Sequence, residues 1–262
     1  MTEELKHKAE VTKTQFSALR CQLNKSTVVA ELKERKKLNR ITKNPQFSAY
    51  TALKWLKNSW NTERILRTNL SILSEDENFF ALQWSFPQSY YSVYCSAQAF
   101  FHSCGRTANS HTSTIKDISE LMKQKYYPKS VCLLAKGGMN IIKFEGLKYT
   151  SGYASKYFSE SETFSIENQI CQLLKSSREY LLKQQKDSYA SDISKHPTLQ
   201  NKKGEISGRF SNTQWDYVAN KLGDTNIIHF LYRKRIKSNY RDIDTFQYEE
   251  IKALDIHKDI IE

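Results

Sequence analysis

The chain has 262 residues, with 40 Lys and Arg against 28 Asp and Glu, for a formal net charge of +12. That length fits one large domain, or one domain with a helical extension, and the excess of cations points to a polyanionic partner: RNA, DNA or an acidic protein. The five cysteines, Cys21, Cys95, Cys104, Cys132 and Cys171, are odd in number and never at C-x-x-C spacing, which argues against a disulfide framework or a zinc site.

From the N-terminus, MTEELKHKAE is too charged to serve as a signal peptide. No apolar run approaches the roughly 20 residues that span a bilayer. A cytoplasmic protein without membrane contact is expected. Glycine and proline number only 8 and 4, which predicts long helices and few tight turns. Residues 2–43 read as helix, with Leu19, Leu23, Val28 and Leu32 on one face, until Pro45 interrupts the pattern. Residues 1–45 form an expected N-terminal helical extension, and 46–262 the main domain. From Phe47 to Asn69, Tyr50, Leu53, Trp55, Leu56, Trp60, Ile65 and Leu66 recur at steps of three and four. SEDEN, 74–78, reads as a boundary. The apolar stretch FPQSYYSVYCSAQAFFHSCG reads as a central buried helix, with Pro87 in its first turn, Gly105 closing it, and small residues at Ser92, Ser96, Ala97 and Ala99 for a close neighbour. Residues 112–125 predict another helix. The segment 126–165 reads as an irregular insert with a short hairpin. A helix over 165–186 follows, capped near Ser165–Glu167, with Ile166, Ile170, Leu173, Leu174 and Leu181 in register. Residues 187–210 read as a loop, SNTQWDYVANKLG as a short helix ending at Gly223, and NIIHFLYRKRIKS as the last main helix, capped by Asp224 or Thr225. The expected class is all-α.

The common catalytic signatures are missing: there is no phosphate-cradling glycine loop after a strand, no H-E-x-x-H and no G-x-S-x-G. Asp242 and Asp244 lack a converging third carboxylate and read as a solvated helix end; no metal and no cofactor is expected. Two Arg-centred spacings remain. RTANSH separates Arg106 from His111 by four residues, and RIKSNY separates Arg235 from Tyr240 likewise. On one ideal helix, positions five apart lie about 140° apart, so neither pair meets on one face by itself. Asn239, four residues from Arg235, does share its face. Arg233, Lys237 and Arg241 add cations around it. His229 reads as a core histidine, and Tyr90–Tyr91 as core or dimer packing.

SYYSVYCSAQAFFHSCGRTANSH and LYRKRIKSNYRDIDTF together resemble the HEPN superfamily (higher eukaryotes and prokaryotes nucleotide-binding). Its members are small helical bundles, often dimeric, many of them metal-independent ribonucleases marked by Arg, four to six residues, then His. The resemblance covers under a sixth of the chain. It implies a HEPN-type bundle, RNA or a nucleotide as ligand, a homodimer, and a nucleotidyltransferase or antitoxin as partner. It further implies an endoribonuclease of a toxin–antitoxin or antiviral module, with Arg235, Tyr240, His111 and Arg106 as catalytic candidates. Arg233, Lys237, Asn239 and Arg241 would bind nucleic acid. Metal-free cleavage needs a proton carrier, which His suits, and a fork of donors for the phosphate, which Arg supplies. Nuclease members carry His where this chain has Tyr240, a poorer base at neutral pH since free Tyr titrates near 10. The alternatives are a non-catalytic module of the same type and a helical scaffold kept soluble by its charge.

Overall fold

Scarce glycine and proline leave the chain mostly helical, as expected. The computed structural model describes residues 3–33, 48–107, 110–150, 158–240 and 253–262. In order these give α1 (Glu3–Leu23), α2 (Ser26–Lys33), α3 (Ala49–Ile72), α4 (Glu75–Ser103), α5 (His111–Lys123), β1 (Leu134–Lys136) and β2 (Lys143–Glu145). Then come α6 (Thr163–Ser188), α7 (Asn212–Leu222), β3 (Thr225–Asn226), α8 (Ile227–Tyr240) and α9 (Ala253–Ile261).

The main core joins α1, α4, α5, α6, α8 and α9 around Phe16, Leu82, Phe86, Tyr90, Ile118, Leu173 and Phe230. Helix α1 belongs to this core rather than being appended to it: Ala9, Phe16, Ala18 and Leu19 are all buried. Val28 is buried too, whereas Leu23 reaches the surface and the Leu32 side chain is not among the described parts. Lys13 pairs with Asp255 at 2.8 Å and Arg20 with Asp259 at 2.7 Å, fastening α1 to α9. A smaller core of Leu182, Tyr189, Leu199, Phe210, Val218 and Ala219 organises residues 187–210, expected as loop, into 3-10 turns packed beside α7. On α6, Leu182 rather than Leu181 completes the buried stripe, and no side chain caps the helix at Glu162.

Helix α4 corrects the largest sequence expectation. It starts at Glu75 behind a capping box of Ser74 and Glu77, so Pro87 lies in its interior. An interior proline deprives the carbonyl four residues earlier of its partner. That carbonyl, of Gln83, instead accepts from Ser238 Oγ on α8 at 2.8 Å. Gln83 Nε2 returns a bond to the Ser238 carbonyl at 3.0 Å. The proline is thereby turned into a clamp between α4 and α8. The small residues of α4 admit α3 as expected: Ser59 Oγ donates to the Ser92 carbonyl at 2.7 Å and lies 2.6 Å from Ser96 Oγ. Much of the apolar periodicity of α3 faces outward, however, leaving Tyr50, Leu53, Trp60 and Ile65 exposed while Leu66 is buried.

A small three-stranded antiparallel sheet, ordered β2-β1-β3, accompanies the helices of this mostly all-α chain. Its β1–β2 hairpin falls in the expected insert. Gly137 turns it at φ +94°, where a Cβ would stand 2.2 Å from the Ile141 carbonyl oxygen. Fully buried Arg178 donates to the carbonyls of Gly137 and Gly223 and to Thr225 Oγ1, tying the hairpin to the α7–β3 turn. Burial brings its pKa down to about 10. Gly223 ends α7 as expected, at φ +80°. The cap of α8 is neither Asp224 nor Thr225 but buried Asn226, whose Oδ1 accepts from the backbone of Ile228 at 2.8 Å and His229 at 3.2 Å.

Candidate functional site

Both blocks singled out in the sequence meet at one place. Gly105, at φ +66°, closes α4 with Gly105 N donating to the His102 carbonyl and Arg106 N to the Phe101 carbonyl. This is the paired-bond helix stop that favours a left-handed glycine. Ser110 then starts α5 with a capping box to Ser113. His111 is therefore the first helical residue, and its ring lies among the α4 tyrosines: 4.5 Å from Tyr94, 5.5 Å from Tyr90 and 6.0 Å from Tyr91 between ring centres.

Helix α8 closes the other side. Tyr232 lies 5.3 Å from Tyr90 and 5.6 Å from His111. One turn on, the Arg235 guanidinium stands 5.0 Å from the Tyr91 ring centre, 5.5 Å from Tyr232 and 5.6 Å from Tyr90. Its Nε is buried with no hydrogen-bond partner among the described residues. Aromatic faces attract a guanidinium without cancelling its charge, so this cation is fixed in place and still able to meet an anion.

The hydroxyl of Tyr90 lies 2.8 Å from His111 Nδ1. Burial, followed by the neighbouring Tyr94, pushes the Tyr90 phenol up, so it keeps its proton. His111 is held below the usual histidine range, first by burial and then by the Arg235 charge. In the neutral tautomer with its proton on Nδ1, the ring donates to the Tyr90 oxygen and keeps the Nε2 lone pair free to accept a proton. A neutral imidazole beside a fixed guanidinium can move a proton next to an oxyanion that the Arg stabilises.

No protein-family model, curated protein or solved structure matches this chain. The site therefore has to be read from its own geometry.

Arg235 and His111 come together across helices, whereas the Arg106–His111 spacing brings no contact between its ends among the described residues. Arg106 is exposed in the turn after α4, where its backbone caps the helix, and no contact with His111 is found among the described residues. Tyr240 is the last residue of α8, and neither its side chain nor Arg241 is among the described parts. Asn239 follows Arg235 by one turn and is half-buried. Arg233 and Lys237 lie round the helix from Arg235. Arg233 donates to Ser176 Oγ on α6 at 3.1 Å, and Lys237 faces α1. His102 stacks on Trp55. His229 is a core histidine bonded to Asn226, as expected; burial and then Arg178 push it down to about 3. Tyr232 and Tyr94 were missed as site residues. The i, i+3 spacing of Tyr232 and Arg235 was the available signal, since it sets a ring beside the cation. Among the described residues, no group of three His, Cys, Asp or Glu side chains converges as a metal site would require. Nor is any helix long and apolar enough to cross a membrane.

Proposed function

We propose that the chain is an RNA-binding protein of HEPN type that cleaves RNA without a metal ion, as the toxic arm of a toxin–antitoxin or antiviral module. The observation that carries this reading is the meeting of Arg235 with His111 through Tyr90. Arg235 holds the scissile phosphate and spreads its growing charge over a donor fork. Neutral His111 takes the 2′-hydroxyl proton as that oxygen attacks its own phosphate. Tyr90 is a positioning residue that fixes the ring. The proton needed by the leaving oxygen comes from His111 in a later step, or from a second copy of the chain across a two-fold interface. The net charge of +12 supports an RNA partner.

One observation favours the non-catalytic alternative, a module that binds RNA or a nucleotide, or holds a nucleotidyltransferase. Tyr90 already occupies His111 Nδ1, so a single ring nitrogen is left for two proton transfers. End-labelled tRNA and mixed RNA incubated in EDTA separate the readings. Discrete cleavage lost in Arg235→Ala and in His111→Ala supports the nuclease. Intact RNA that binds wild type but not Arg235→Ala supports the binding module. Binding unaffected by Arg235→Ala removes both.

A further inference from the structure

The outer side of α3 carries an aromatic and cationic stripe that the Arg235–His111 site does not use. Tyr50, Leu53, Lys57, Trp60 and Arg64 follow one another at steps of three and four. At 100° per residue they fall within an arc of about 80°. All five are exposed, Trp60 by 57% and Tyr50 by 79%. The opposite side of α3 is fixed to α4: Ser59 bonds Ser92 and Ser96, and Trp55 lies 6.1 Å from Tyr94 between ring centres. A braced helix therefore holds the stripe outward. Glu63, the single acid of α3, is taken by Arg67 at 2.9 Å. Lys57 and Arg64 form no ion pair among the described residues. Trp60, Arg64, Arg67, Thr68 and Ser71 border an open recess of about 360 Å³.

We infer that this stripe binds single-stranded RNA, with a base stacked on Trp60 and the flanking phosphates on Lys57 and Arg64. Any base can stack on an exposed indole, and cations one turn to either side of it suit the backbone that carries the base. A duplex hides its base faces, so the single strand is the form that fits. A second copy of the chain does not fit. Pairing the stripe with itself, parallel or antiparallel, would set Lys57 and Arg64 against like charges. The inference rests on RNA as the partner, as proposed above, but not on cleavage or on Arg235.

Fluorescence anisotropy tests it, with a labelled 2′-deoxy-substituted RNA strand that cannot be cleaved, its abasic counterpart and the matching duplex. The proteins are wild type, Trp60→Ala, Trp60→Phe, Arg235→Met and the double variant Lys57→Gln, Arg64→Gln. The α3 positions are exposed, so these changes leave the core intact. Wild type is expected to bind the single strand more tightly than the abasic strand or the duplex. Trp60→Ala should weaken the single strand about tenfold and leave the abasic strand unchanged, while Trp60→Phe keeps most of the affinity. The double variant should flatten the dependence of log K on log salt by about 0.7 per cation removed. The inference is overturned, with the Arg235–His111 reading intact, if Arg235→Met loses the strand while the α3 variants bind as wild type does. Loss in the α3 variants but not in Arg235→Met supports the stripe and removes the other site. No binding of the strand by wild type overturns both. Saturable binding of a poly-glutamate peptide, lost in the double variant and without RNA binding, also overturns the inference and assigns the stripe to an acidic protein.

Discussion

The Tyr90 hydroxyl on α4 bonds His111 Nδ1 at the start of α5, at 2.8 Å. That bond sets a ring held neutral by burial and by Arg235 inside the aromatic cluster. His229, pushed down to about 3, and His257, also lowered by burial, share the same direction. These groups stay neutral in the fold while the unfolded chain takes up protons below about pH 6.5. The unfolded state then binds more protons, so stability is full above that pH and falls as the pH drops, for His229 toward 3 by up to about 1.4 kcal/mol per unit, with His111 and His257 adding a loss in the same direction. Urea midpoints at pH 7.5 and pH 5.0 should show the loss, with a shallower slope in His229→Gln. Equal midpoints would contradict it.

Ser238 and Pro87 should be energetically coupled. Ser238→Ala leaves the Gln83 carbonyl without the bond that replaces its lost helical partner, at a cost of about 1–3 kcal/mol. In a Pro87→Ala background, the restored N–H can serve Gln83, and the cost should shrink. A double-mutant cycle by urea unfolding should give a coupling of at least about 0.5 kcal/mol. Additive effects would remove the proposed repair.

Lys125 ends α5 at φ +60°, with Lys125 N bonding the Met122 carbonyl and Tyr126 N the Leu121 carbonyl. This is the same stop that Gly105 provides for α4, but with a side chain in the left-handed region. Lys125→Gly should stabilise by about 1 kcal/mol, raising the melting temperature by about 2–4 °C. Lys125→Ala, which keeps the Cβ, should give no such gain.

Local signals were legible where one segment decided the outcome. Gly105 and Gly223 end their helices because left-handed backbone favours glycine. The small residues of α4 marked a close helix contact, and the glycines near 137 marked the hairpin. Features that depend on a second segment were not legible. Pro87 reads as a helix start until Ser238 supplies the missing bond from α8. Asn226 outcompetes Asp224 and Thr225 as a cap because it is also held by Ser119, at 2.9 Å. The apolar spacing of α3 gave helix correctly but not its buried side, since Trp60 and Tyr50 stay exposed. For the site, the residues were visible and their pairing was not. Spacing along one helix reports its own faces, whereas Arg235 meets His111 only because α4 carries the tyrosines between them.

The central claim is that Arg235 and His111 form one phosphate-binding site. NMR titration of the His111 ring tests it most directly, with and without a 2′-deoxy-substituted RNA that cannot be cleaved. A bound phosphate opposes the Arg235 charge and favours the imidazolium. The account predicts that saturating RNA raises the His111 pKa in wild type and not in Arg235→Met. RNA that binds while the His111 resonances and pKa stay unmoved would contradict it.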